Sequence, residues 1–162
     1  MTTGHGAITS AVVLNLQRVL AETGRDVRAE RIAFVGLGSI GAGALRLALE
    51  VLPEPAEVLL CDLVDAPRLE AFAAELRDRG HRVTVHPARA GSVPSSVYDA
   101  TTVVGATNVG DVLDVDRLRP GCLVVDDSWP RCFDVDRLHA REPAVGRRAG
   151  HRGRRACRCR SR

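Results

Sequence analysis

Residues 31–62 constrain this chain more than any other stretch. A short apolar run, Arg31–Val35, leads straight into Gly36-Leu37-Gly38-Ser39-Ile40-Gly41, which opens a helical pattern that Pro53 stops. A second apolar run, Glu57–Cys61, is followed at once by Asp62, 21 residues beyond Gly41. The pattern G-x-G-x-x-G alone is common. Between a strand and a helix, with an acid closing the next strand, it is the arrangement that holds a dinucleotide. Gly36 permits the tight turn, Gly38 lets a pyrophosphate approach the backbone, and Gly41 lets the helix pack closely on the strand. Ser39 and Ile40 begin the helix, whose free N–H groups and positive dipole end face the phosphates. Asp62 would accept hydrogen bonds from the adenosine ribose hydroxyls. Its charge repels a 2′-phosphate, which favours NAD over NADP.

The rest of the chain repeats this alternation. Val12, Val13, Leu16, Val19 and Leu20 share one helical face and predict a helix over 10–23, with Thr9 or Ser10 as its cap and Gly24 at its end. Helices follow over 39–52 and 67–79, the latter with Pro67 near its start and Gly80 at its end. Strands are predicted at 31–35, 57–61, 82–86, 101–106 and 122–126. Near-continuous apolar strands are buried on both faces, and strand–helix alternation implies a parallel sheet. The expected class is α/β: a doubly wound, Rossmann-like sheet of five strands in the order 3-2-1-4-5. Beyond Asp136 the pattern stops.

Composition limits the function classes. A chain of 162 residues is one domain. Aromatic residues are 3%, too few for a stacking platform that binds single-stranded nucleic acid. The N-terminus has no basic stretch followed by an apolar core, so a secretory signal is not expected. No apolar run nears the ~20 residues that cross a bilayer. The five Cys form no disulfide framework, and a reducing cytoplasm is the simplest setting.

All 23 basic residues are Arg, and they are unevenly placed. Residues 141–162 carry nine Arg and one acid, whereas the first 140 residues hold 14 Arg and 19 acids. The net charge of +3 thus combines a mildly acidic body with a strongly basic end. The division expected is a nucleotide-binding domain over 1–140 and a disordered Arg-rich tail over 141–162, which has almost no large apolar residue to bury. The tail has three readings: a phosphate-binding arm for nucleic acid, a solvated segment without a partner, or a product of a shifted reading frame or truncation. The last would replace a sixth strand and final helix, and the coding DNA decides it. Nucleic acid is the disfavoured partner, and no membrane is expected.

Three segments resemble a known superfamily. TTGHGAITSAV (2–12) looks like the Thr-Thr-Gly-Asn loop and helix that lead into the nucleotide domain of long-chain acyl-carrier-protein reductases, with His5 where Asn is usual. VGLGSIG is the shared fingerprint. VVGATNVGDV (103–112) and CLVVDDSWPR (122–131) look like the last two strands, with Asp126 four residues before Pro130 and Arg131 following as in glutamyl-tRNA reductases. Over residues 2–137 the chain resembles the NAD(P)-binding domain shared by shikimate/quinate dehydrogenases, glutamyl-tRNA reductases and these acyl-carrier reductases. The resemblance implies hydride transfer at a carbonyl or acyl thioester, with Thr107 and Asn108 near the nicotinamide ribose. Ligands in such sheets bind outside the carboxyl ends of strands one and four, the same place. As a bare polar turn, Thr107-Asn108 needs no ligand.

Departures from the superfamily limit catalysis. Its reductases use a Cys from a separate substrate domain, which this sequence is not expected to contain. Cys132 is the one Cys near the crevice, and no His or helix start is placed to lower its pKa. The Lys–Asp pair of shikimate dehydrogenases is excluded, since the chain has no Lys. His5 reads as an exposed terminal residue rather than an acid–base group. Cys157-x-Cys159 with His151 is poor spacing for a structural metal. Asp111, Asp114, Asp116, Asp126 and Asp127 match no calcium loop; Asp111 and Asp114 read better as caps of a short helix. Ser128 lacks the surroundings of a hydrolase nucleophile.

The sequence therefore reads as the NAD(P)-binding domain of an oxidoreductase, truncated so that its substrate domain is missing. The cofactor residues expected are Gly36, Gly38, Ser39, Ile40, Gly41, Asp62, Thr107 and Asn108; no catalytic residue is assigned and no metal is expected. Substrates would be a small molecule or an acyl-carrier thioester, with a partner chain or second copy supplying the missing half. NAD is favoured by Asp62, although related reductases use NADP and Arg68 lies close in sequence. The alternatives are an inactive nucleotide-binding module, an S-adenosylmethionine-dependent methyltransferase-like fold, or an adenylating fold. The acid that methyltransferases carry just before the glycines is absent, since Phe34 and Val35 stand there.

Overall fold

The computed structural model describes residues 4–62, 66–88 and 92–141. The strands are Arg31–Val35 (β1), Glu57–Cys61 (β2), Val83–Val85 (β3), Thr102–Gly105 (β4) and Leu123–Asp126 (β5). They form one parallel sheet in the order β3-β2-β1-β4-β5, the order expected from right-handed crossovers. The helices are Gly4–Thr23 (α1), Ser39–Val51 (α2), Ala66–Asp78 (α3), Ser95–Tyr98 (α4) and Val135–Arg141 (α5).

Strand alternation builds two cores. Ile32, Phe34, Val58 and Leu60 meet the apolar faces of α1, α2 and α3 on one side of the sheet. Ala33, Val35, Leu59 and Cys61 meet Val97, Tyr98, Phe133 and Leu138 on the other. Phe34, Leu59 and Leu60 are essentially inaccessible to solvent. Each such side chain stabilises the fold by about 1.5–3 kcal/mol relative to exposure.

The amino end of the sheet is pinned by a buried acid. Glu30 accepts hydrogen bonds from the hydroxyls of Thr101 (2.6 Å) and Thr102 (2.7 Å). Arg25 grips the same carboxylate through Nε and a terminal nitrogen, at 2.9 and 2.8 Å. Its remaining nitrogen donates to the Gly121 carbonyl at 2.8 Å. This node ties the α1–β1 connection to β4 and to the turn before β5.

Several boundaries differ from the sequence reading. Helix α1 starts at Gly4 rather than 10, so Thr9 and Ser10 lie inside it and do not cap it. Its first turns are exposed and carry no apolar stripe, so periodicity marked only the packed portion. Gly24 does end it: at φ +66°, its N–H and that of Arg25 close on the Ala21 and Leu20 carbonyls. Strands β3, β4 and β5 are each shorter by one or two residues than predicted, although flanking residues still bond to the neighbouring strand, as the His86 N–H does to the Leu60 carbonyl and the Ala106 N–H to the Val35 carbonyl. The ordered pattern also continues past Asp136. Leu138 of α5 is buried against the second core, and Asp134 accepts the N–H groups of Asp136 and Arg137 at the start of that helix. The Arg-rich segment, with Cys157, Cys159 and His151, lies outside the described residues. No described helix is long and apolar enough to cross a membrane.

Candidate functional site

Three glycines shape the turn from β1 into α2, each for a different reason. Gly36 sits at φ +91°, and a Cβ there would stand 2.6 Å from the Ala106 carbonyl oxygen and 2.8 Å from Thr107 Cα. No side chain fits between β1 and the chain leaving β4. Gly41 is tighter still: its Cβ would lie 1.9 Å from the Gly36 carbonyl oxygen. Gly38 differs. It precedes α2 at φ −64°, ψ −167°, with nothing within 4 Å of where a Cβ would be. Two glycines are required by the fold, and the third leaves open space above the start of the helix.

That space belongs to a cleft of about 470 Å³ over the carboxyl ends of β1 and β4. Gly36, Gly38, Ser39 and Ile40 line it, with Asp62 and, from the far side, Ala106, Thr107, Asn108, Asp127 and Trp129. The structure thus brings together all the sequence-predicted residues except Gly41, which packs beneath the turn. The Asp62 carboxylate accepts the Leu37 backbone N–H, and its carbonyl accepts that of Ala88 at 2.9 Å. The acid after β2 is therefore hydrogen-bonded to the glycine turn.

Asp62 also lines a second cleft of about 260 Å³ between α2 and α3, shared with Arg46, Arg68, Phe72 and Glu75. There Arg46 stacks on Phe72, 4.5 Å from the ring centre, and is held by Glu75 at 2.8 and 3.1 Å. Leu37 of the glycine turn lines this cleft as well, so Arg68 and Asp62 face a common space beside the turn.

The loop after β4 is anchored from β5. The Thr107 N–H donates to Ser128 Oγ at 3.1 Å, and Thr107 Oγ1 accepts the Val109 N–H at 3.1 Å. Asp126 accepts the N–H groups of Ser128 (3.1 Å) and Cys132 (3.4 Å). These groups crowd Gly105, where a Cβ would stand 2.4 Å from Asp126 Oδ1 and 2.7 Å from Cys132 Sγ. Cys132 is fully buried, and burial together with the Asp126 carboxylate pushes its thiol well above the ordinary range. Burial and the neighbouring carboxylate hold this thiol in its neutral form, the poorer nucleophile. Cys61 is likewise pushed up to about 12 by burial and the Asp62 charge.

The remaining sequence candidates fall elsewhere. His5 is exposed in the first turn of α1 and does not line the cleft. Asp114 caps the short 3-10 turn Val115–Arg117, as expected. Asp111 does not cap a helix; it takes a left-handed turn conformation at φ +53°, and its N–H donates to the Arg131 carbonyl. Among the described residues no three His, Cys, Asp or Glu side chains come together as a metal site. Sequence reasoning missed Asp127 and Trp129 as cleft residues. The available signal was the chain's single Trp, placed before a proline just past the last strand.

No family model and no curated protein matches this sequence. Solved structures do. Quinate dehydrogenase from Corynebacterium glutamicum in complex with NAD is 24% identical, with a TM-score of 0.52, over 71% of this chain and 42% of that one. The Thermococcus litoralis Δ1-pyrroline-2-carboxylate reductase in complex with NADH and L-proline is 17% identical, with a TM-score of 0.53, over 76% and 37%. The A chain of dipicolinate synthase from Bacillus subtilis is 15% identical, with a TM-score of 0.55, over 84% and 43%. This chain spans less than half the length of each. It has the doubly wound, Rossmann-like fold that these proteins contain.

Proposed function

We propose that this chain is the NAD(P)-binding domain of an oxidoreductase that moves a hydride to or from a carbonyl or acyl thioester. The observation that carries the reading is the open face of Gly38 at the start of α2, in a cleft closed at one end by Asp62. A pyrophosphate placed there meets free helix N–H groups and no side chain. Asp62 takes the adenosine ribose, and the nicotinamide end falls toward Thr107 and Asn108. The solved dehydrogenase and reductase with bound NAD and NADH support this placement through their common fold. The carboxylate favours NAD, and Arg68 is the cation that a 2′-phosphate would have to reach. The substrate, a small molecule or an acyl-carrier thioester, would be presented by a partner chain, a second copy or residues beyond those described. Buried thiols outside any disulfide at Cys61, Cys122 and Cys132 suit a reducing cytoplasm.

A second reading is a nucleotide-binding module without chemistry of its own, favoured by the buried, neutral Cys132. Calorimetric titration with NAD, NADP, S-adenosylmethionine and ATP tests the first reading against the methyltransferase-like and adenylating alternatives. Saturable binding of NAD or NADP alone is the expected result. Tight binding of either of the other two overturns it. Saturable cofactor binding without turnover on carbonyl or thioester substrates selects the inactive module.

A further inference from the structure

The end of the cleft away from Asp62 is unusual. Trp129 is 87% exposed, although an indole is among the most apolar surfaces a chain can bury. Its position is not left to chance. The Asp127 N–H donates to the Gly105 carbonyl at 2.9 Å and the Ser128 N–H to Asp126 at 3.1 Å, fixing the backbone on its approach. On the other side, Pro130 packs close to Gly110, and the Arg131 carbonyl accepts the Asp111 N–H at 3.1 Å. A firmly held turn therefore presents a bare indole at the cleft wall. Among the described residues, the titratable groups lining that wall are the carboxylates Asp62 and Asp127.

An exposed indole in a wall that also carries a carboxylate suits a cationic ring: the indole face attracts positive charge, and a carboxylate in the same wall adds to the field. With the adenosine and pyrophosphate occupying Asp62 and the glycine turn, the ring that reaches this end is the nicotinamide. Oxidised nicotinamide is a pyridinium cation; reduced nicotinamide is neutral. We infer that Trp129 and Asp127 make this cleft selective for the redox state of its cofactor, holding the oxidised form more tightly than the reduced form. The inference rests on the nucleotide reading above and adds a specificity that this reading does not contain.

The test is calorimetric titration of the full chain with NAD+, NADH and ADP-ribose, using wild type, Trp129→Leu and Trp129→Phe. ADP-ribose occupies the glycine turn and Asp62 but carries no nicotinamide, so it reports the nucleotide reading by itself. Wild type should bind NAD+ about two- to fivefold more tightly than NADH. Trp129→Leu should lose about that factor for NAD+ while leaving ADP-ribose unchanged, and Trp129→Phe should restore part of the loss. Because the chain has one Trp, NAD+ should also quench its fluorescence and produce an indole–pyridinium charge-transfer band, absent in Trp129→Leu. ADP-ribose binding with equal affinities for NAD+ and NADH in wild type overturns the inference and leaves the nucleotide reading standing. An equal loss of ADP-ribose and NAD+ in Trp129→Leu also overturns it. Failure of all three ligands to bind removes both.

Discussion

The carboxylate of Asp62 accepts the backbone N–H of Leu37, the residue between the first two glycines of the turn. The end of β2 and the glycine turn are therefore joined as one unit. Replacing Asp62 should act in two ways. Asp62→Ala should weaken NAD binding about tenfold, the scale of a lost hydrogen bond to a charged group, and should reduce the preference for NAD over NADP. Titration of both proteins with both cofactors measures this. Equal affinities across all four pairings would show that Asp62 does not reach the ribose.

Gly38 and Gly41 should separate binding from folding. A methyl group on Gly41 meets the Gly36 carbonyl oxygen, whereas one on Gly38 meets nothing and sits at an allowed φ of −64°. Gly41→Ala should destabilise the domain by about 1–3 kcal/mol or more, through displacement of α2 from β1. Gly38→Ala should stay within about 0.5 kcal/mol of wild type, yet lose at least about tenfold in NAD affinity, because its methyl group enters the space assigned to the pyrophosphate. Urea denaturation beside cofactor titration reads both quantities. Unimpaired NAD binding by a folded Gly38→Ala protein would argue against the site.

The thiol of Cys132 should be inert in the folded state. Burial and the Asp126 carboxylate oppose its ionisation, so alkylation at pH 8 should spare Cys132, Cys61 and Cys122 until the chain unfolds. Peptide mapping by mass spectrometry distinguishes these positions. Rapid native labelling of Cys132 would reopen it as a nucleophile.

His86 predicts how stability depends on pH. Its Nδ1 faces Ser96 Oγ at 2.8 Å and its Nε2 faces Thr84 Oγ1 at 3.0 Å. Burial lowers its pKa; Glu57 opposes that shift, and Arg31 reinforces it. The unfolded chain, with a His pKa near 6.5, therefore takes up the proton first as pH falls. Stability should be fully present above about pH 6.5 and decline below it, until the folded state also protonates. Denaturation curves at pH 7.5 and 5.5 should show the decline, and His86→Gln should flatten it. The same slope in wild type and variant would assign the effect to other groups.

The sheet was legible because parallel strands buried on both faces are written as unbroken apolar runs, as in Arg31–Val35 and Glu57–Cys61. The glycine turn and Asp62 were legible because their spacing follows from the strand–turn–helix geometry. Helix α4 and the 3-10 turn Val27–Ala29 were not. Each is a single turn or less, too short for any hydrophobic period. The early start of α1 escaped because exposed turns leave no apolar stripe. Asp127 and Trp129 were missed because their place depends on contacts distant in sequence. The bare Cα of Gly105 makes room for Asp126 and Cys132, and Ser128 reaches across to Thr107. Local pattern carries no trace of such a meeting.

The Glu30 node and the cleft lie at opposite ends of the same strands. Glu30 with Arg25, Thr101 and Thr102 secures the amino end of the sheet, while the glycine turn, Asp62 and Thr107 occupy the carboxyl end. This distance has an evolutionary consequence. Loops at the carboxyl end can vary in length and chemistry without disturbing the charge cluster that keeps the strands in register. The same scaffold is thus open to changes of ligand at that end, and directed evolution confined to the loops after β2, β4 and β5 leaves the Glu30 node intact.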